Sequence, residues 1–119
     1  MSRAKGRLGP ARGDVWTVKF DPVIGHEQGG VRPALIVSVN VLNDSPAGLL
    51  FVAPITGTDR GIMAHVRIPA QEGGLTKASV ILTDQVRSIS IHRLVRKLGR
   101  VSSSTMTEVE QRLAFLLGL

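Results

Sequence analysis

The chain has 119 residues, with 15 Lys+Arg against 9 Asp+Glu, no Cys, 43% hydrophobic residues and 3% aromatic ones. One domain's worth of chain with this apolar content builds a packed core, and the absence of Cys excludes a disulfide scaffold, a thiolate zinc site and a cysteine nucleophile. The formal charge of +6 points to an anionic partner, and with no apolar run long enough for a membrane span and no signal-peptide stretch at its start, the chain reads as a cytoplasmic domain.

The charge is unevenly spread. Residues 1–12 carry Arg3, Lys5, Arg7 and Arg12 with no acid, and residues 87–100 carry Arg87, Arg93, Arg96, Lys97 and Arg100 with no acid. Between them, five bases face seven acids. Residues 1–11, rich in Gly, Ala and Arg without periodicity, read as a flexible basic arm before a single domain over 12–119.

In chain order, Val15–Phe20 alternates, with Val15, Thr17 and Lys19 on one face and Trp16, Val18 and Phe20 on the other, as a half-buried strand does. Ala34–Val39 is an aliphatic run expected of an interior strand. Leu49–Ile55 is similar, although Pro54 cannot donate to a ladder and is expected at an edge or at the strand's end. Ala64–Ile68, Ser79–Thr83 and Gln85–Ser90 add three more strands. Turn-rich segments separate them at Asp21–Pro33, Asn40–Gly48, Thr56–Met63 and Pro69–Lys77. From Met106 the period changes to 3/4, through Val109, Leu113, Leu116 and Leu117, which predicts an amphipathic helix. Thr107 to Glu110 fits a capping box, and Gly118 suits the C-terminal stop. The chain therefore predicts a mainly β fold closed by a C-terminal helix, a small and strongly curved antiparallel sheet or barrel.

Neither a phosphate-binding P-loop nor a dinucleotide-binding glycine motif is present. His26, His65 and His92 are scattered, with no i,i+4 pair to hold a metal on a helix, and an isolated His is ordinarily a packing or surface residue. Four aromatic residues, with no Tyr, are too few for a base-stacking platform. What stands out is the loop Gly25-His26-Glu27-Gln28-Gly29-Gly30-Val31-Arg32-Pro33, which gathers an imidazole, a carboxylate, an amide and a guanidinium on a glycine-rich backbone.

That loop, together with RGDVW (12–16), VAPIT (52–56), SVILTDQVRSI (79–89) and RL…LG (93–99), resembles the MazF/PemK family of toxins in order and spacing along residues 12–119. The resemblance implies an SH3-like barrel of the CcdB/MazF type, assembled as a homodimer. It implies a metal-independent, cofactor-free endoribonuclease that cleaves single-stranded mRNA at short motifs, leaving a 2′,3′-cyclic phosphate and a 5′-hydroxyl. It also implies an acidic, MazE-like antitoxin as partner. By the same resemblance Arg32 and Thr56 are catalytic, and His26, Glu27, Gln28, Gln85 and Arg87 bind substrate. His26 departs from the pattern, since well-known members carry Ser there. An imidazole titrates ordinarily near ~6.5, so His26 is open to proton transfer as well as to substrate contact.

The residue types suit that chemistry. Attack by the RNA's own 2′-hydroxyl needs that proton removed, the phosphorane charge stabilised and the leaving 5′-oxygen protonated. A guanidinium such as Arg32 grips phosphate with a planar fork, but holds its own protons too tightly to act as a base. Four bland readings stay open: Arg32 pairing with Glu27 or an Asp, Thr56 as an ordinary strand end, Gln85 as an ordinary barrel-wall amide, and the 87–100 block as a solvated face. A second functional class also stays open, a non-catalytic toxin like CcdB that inhibits a protein such as DNA gyrase.

Overall fold

A computed structural model describes residues 9–20 and 30–119. The expected arm over its first eight residues, and the loop candidates His26, Glu27 and Gln28, lie outside the described residues.

Among the described residues, seven strands run in the order β1 (Asp14–Lys19), β2 (Val31–Ile36), β3 (Leu49–Thr56), β4 (Val66–Ile68), β5 (Ser79–Ile81), β6 (Arg87–Ser90) and β7 (Leu94–Arg100). A four-residue helix α1 (Asn40–Asn43) follows β2, and α2 (Ser103–Leu117) ends the chain. The sheet is antiparallel in every pair and runs β4-β5-β3-β2-β1-β7, with β6 pairing β3 off this path. It is the expected mainly β architecture with a C-terminal helix, curled but not closed among the described residues. Among the described residues, no helix is long and apolar enough to cross a membrane.

The near-continuous apolar runs have a simple cause: the curled sheet is buried on both faces. Side chains alternate along a strand, and the odd and even positions enter different cores. Val15, Leu35, Val37, Ala53 and Ile55 join Val66, Ile68, Ile81 and Val109 in one. Val18, Phe20, Ala34, Ile36, Leu50 and Val52 join Ile89 in the other. A one-residue slip of β2 against its neighbours would exchange these two sets, so the register is strongly specified.

β3 is the pivot. Its Ala34-to-Ile36 partners in β2 cover one edge, while its other edge is shared between β6, over Leu49–Val52, and β5, over Ile55 and Thr56. Pro54 sits inside the strand and not at an edge, contrary to the expectation. The N and carbonyl of one strand residue point the same way, and the Pro54 carbonyl accepts from Leu82 N at 2.8 Å on the shared edge. The missing N–H therefore falls where the ladder passes from β6 to β5, and no pairing is lost.

β7 is a strand that the apolar pattern does not predict. It pairs with β1 from Asp14↔Arg100 to Val18↔Leu94, with two register irregularities. The 3-10 turn at Glu72–Gly74 packs closely against it: a Cβ on Gly74, whose φ is +77°, would lie 2.0 Å from the Leu98 carbonyl oxygen, so only glycine fits.

The helix begins earlier than the 3/4 period indicates. Ser102 is the cap, its hydroxyl accepting from Thr105 N at 3.1 Å. The carboxylate that completes such a cap comes from Glu72, which accepts from Ser102 N at 3.1 Å and from Thr105 Oγ1 at 2.5 Å. The expected Thr107–Glu110 box is therefore inside the helix, and Thr107 Oγ1 donates to the Ser103 carbonyl. Gly118 ends the helix at φ +73° as expected. Met106, Val109 and Leu113 reach the core, whereas Leu116 and Leu117 are exposed.

Candidate active site

Arg32 lies on β2 opposite Val18, and Thr56 is the last residue of β3, opposite Val80. Adjacent strands thus deliver both to one end of the sheet. Gln85 closes the 3-10 turn Thr83–Gln85, between β5 and β6, rather than beginning a strand. The three side chains line one cavity of about 280 Å³. Its other walls come from Thr58, Arg60 and Ile62 of the β3–β4 loop, from His65, and from Leu82 and Asp84. Two guanidinium groups and one carboxylate thus meet two hydroxyls, an imidazole and an amide in one solvent-accessible space.

Local geometry fixes the hydroxyl. Thr58 N donates to Thr56 Oγ1 at 3.2 Å, which occupies an acceptor position and leaves the O–H of Thr56 to donate. Arg87, the remaining described candidate, is not a wall of this cavity. It projects from β6 with its guanidinium 5.7 Å from the centre of the Phe20 ring, a cation–π contact.

The Arg60 wall is held by a clamp. Arg67 donates to Asp59 through Nε at 2.6 Å and through Nη2 at 2.9 Å, and Gly61 N donates to the same carboxylate at 2.8 Å. Arg67 also reaches the Ile62 and His65 carbonyls. The Arg67 guanidinium, and then the Gly61 amide, hold the Asp59 carboxyl below its usual 3.8. A carboxyl depressed in the fold contributes order above its unfolded value and loses it as pH falls through the folded one. In Arg67→Ala, the Asp59 resonance should titrate at higher pH than in the wild type by NMR, since the largest cause of its lowering is gone, with the amides of 58–62 broadened at neutral pH. Titration unchanged from wild type would refute the clamp.

The His65–Asp84 pair of the cavity escapes sequence reasoning. His65 is 4% exposed, with Nε2 2.7 Å from Asp84 Oδ1. The signal available for Asp84 is its place beside Gln85 in the TDQVR stretch; for His65 nothing local distinguishes it from a packing residue. Among the described residues, no group of three potential metal ligands occurs.

The basic block at 87–100 is partly absorbed by the fold. Lys97 and Arg100 pair with Asp14, at 3.5 and 2.8 Å, and Arg93 donates to the Lys19 carbonyl.

Residues 11–117 match the family described as PemK-like, MazF-like toxin of type II toxin-antitoxin system. The chain belongs to this family. MazF from Deinococcus radiodurans is 33% identical, with a TM-score of 0.84 over 95% of this chain and 100% of that one. An endoribonuclease from a mycobacterial species is 27% identical, with a TM-score of 0.75 over 93% of each chain. A mycobacterial endoribonuclease in complex with its cognate antitoxin is 29% identical, with a TM-score of 0.75 over 92% of this chain and 96% of that one. The PemK/MazF fold thus accounts for the curled sheet, the closing helix and the junction of strand ends that carries the cavity.

Proposed function

We propose that this PemK/MazF-family chain is a sequence-specific, metal-independent endoribonuclease acting on single-stranded mRNA in the cytoplasm. The observation that carries the reading is the shared cavity of Arg32, Thr56 and Gln85, in a chain similar to proteins described as endoribonucleases. The nucleophile is the RNA's own 2′-oxygen. It attacks phosphorus, the bond to the 5′-oxygen breaks, one proton leaves the 2′-hydroxyl and one arrives at the 5′-oxygen. The Arg32 fork stabilises charge on the phosphorane oxygens, and the Thr56 hydroxyl donates to one of them. Gln85, His26, Glu27, Gln28 and Arg87 bind the substrate in this reading.

The partners in this reading are a second copy of the chain and an acidic antitoxin. The homodimer is supported by an apolar groove lined by Val37, Phe51, Val86, Leu113, Leu116 and Leu117, beside the exposed Phe115. Asp84 borders both this groove and the cavity, so dimerisation would place a neighbouring copy next to the substrate. The antitoxin is supported by the mycobacterial complex.

The test is a long RNA incubated with the protein in EDTA, followed by end mapping. Cuts at a short recurring motif, with 5′-hydroxyl and 2′,3′-cyclic phosphate ends, are expected. RNA left intact refutes the reading. Light scattering of the same sample should give twice the 12.7 kDa chain mass.

A further inference from the structure

The reaction above uses the Arg32 and Thr56 end of the cavity and leaves the His65–Asp84 pair unused. A carboxylate only accepts hydrogen bonds, so the hydrogen between His65 Nε2 and Asp84 Oδ1 sits on the ring. His65 Nδ1 is buried and has no hydrogen-bond partner among the described residues. The ring is a strut held from the backbone: His65 N donates to the Ile62 carbonyl at 3.1 Å, Arg67 Nη1 donates to the His65 carbonyl at 3.3 Å, and Thr83 Oγ1 donates to the Ala64 carbonyl at 2.5 Å. The last bond ties the His65 segment to the turn carrying Asp84. One oxygen of Asp84 is thereby fixed, while its side chain stays 40% exposed at the cavity.

An anionic phosphate is repelled from such a carboxylate and goes to the arginines. What the Asp84 end accepts is a neutral N–H or O–H donor. A ribose hydroxyl and a nucleobase edge both qualify, and the walls decide between them. Ile62 and Leu82 line the same cavity, and aliphatic side chains cover the faces of a flat ring while a hydroxyl needs no such surface.

We propose that Asp84, held in place by His65, forms a nucleobase subsite for a base whose edge carries an amino group, and that it sets part of the cleavage-site preference. Adenine, cytosine and guanine qualify. Uracil, whose single N–H lies between two carbonyl oxygens, brings an acceptor against the carboxylate and is disfavoured. His65 is a positioning residue here. The inference rests on the endoribonuclease reading.

The test uses short RNA oligonucleotides carrying the motif mapped for the wild type. Each base is replaced in turn by an analogue lacking the amino group: purine riboside for adenosine, pyrimidin-2-one riboside for cytidine, inosine for guanosine. At one position the deletion should lower kcat/KM roughly 10–100-fold, the worth of a hydrogen bond to a charged group. In Asp84→Asn the same deletion should cost no more than about twofold, since the charged acceptor is gone. The amide oxygen introduced by that substitution would accept from His65 Nε2, turning the amide NH2 to the cavity, so uracil at that position should become the better base. His65→Gln should lower the ratio between intact and deleted base, whereas a merely structural role would lower both rates alike. Should that variant not fold, the exposed Asp84→Asn decides alone. Equal tolerance of every deletion by the wild type, or the same cost in Asp84→Asn, overturns the subsite while cleavage itself stands. No cleavage by the wild type overturns the endoribonuclease reading and the subsite with it.

Discussion

Arg32→Ala should lose about 10²–10³ in the rate of RNA cleavage, the usual cost of removing one preorganised donor from a developing oxyanion. The phosphorane formed by 2′-oxygen attack carries more negative charge on its equatorial oxygens than the ground-state phosphodiester. A guanidinium on a paired strand is already in position when that charge appears. Arg32 stands on β2, held by backbone pairing with Val18, so truncation of its side chain leaves the ladder and both cores intact. Arg32→Lys should recover only part of the loss, because an ammonium is a point charge and not a fork. Thr56→Val, nearly isosteric, should cost less, since it removes a single neutral donor. The measurement is single-turnover cleavage of a mapped oligonucleotide in EDTA, alongside binding of the same oligonucleotide with a 2′-deoxy residue at the cut. A transition-state role predicts a rate loss well beyond the loss of binding. Arg32→Ala cleaving within about threefold of wild type would end the assignment.

These two residues are legible in the sequence because the family's motifs fall on them and because both flank runs of apolar residues. The same runs mark β1, β2 and β3, since sheets buried on both faces leave long aliphatic stretches. What escapes detection depends on contacts distant in the chain. β7 reads LVRKLGR, with Val95, Arg96 and Lys97 exposed, so no apolar alternation announces it. It is a strand because β1 pairs with it, with the half-exposed Lys97 and Arg100 reaching the Asp14 carboxylate from its surface. The start of α2 is hidden for a similar reason: the carboxylate of its cap is Glu72, thirty positions upstream of Ser102. An edge position suits Pro54 only in a one-strand view, which contains no changeover from β6 to β5. The candidate site shows the same divide. Arg32, Thr56 and Gln85, singled out by motif, line one cavity, but the His65–Asp84 bond spans nineteen residues, and no spacing rule links a buried His to an acid at that separation.

Asp14→Ala should destabilise the fold by about 2–5 kcal/mol, the second large effect expected of a single substitution. Asp14 opens β1 and is 1% exposed. Its carboxylate accepts from Ala11 N at 2.9 Å and from Trp16 Nε1 at 3.2 Å through one oxygen, and from Arg100 Nη1 at 2.8 Å through the other. Lys97 approaches the second oxygen at 3.5 Å. The two cations are half exposed and regain water when the acid is removed, so their charge contributes little to the cost. The larger penalty falls on the donors that cannot be rehydrated. The amide of the buried Ala11 and the half-buried indole N–H would each lose an acceptor, at about 1–3 kcal/mol apiece. Asp14→Asn keeps a carbonyl oxygen for one of them and should cost less than Ala. Urea denaturation should show the midpoint falling with the m-value unchanged. Asp14 is not a wall of the Arg32 cavity, so the folded fraction of either variant should cleave RNA at the wild-type rate. The opposite pattern, full stability with lost cleavage, would move Asp14 from the frame of the sheet into the substrate surface.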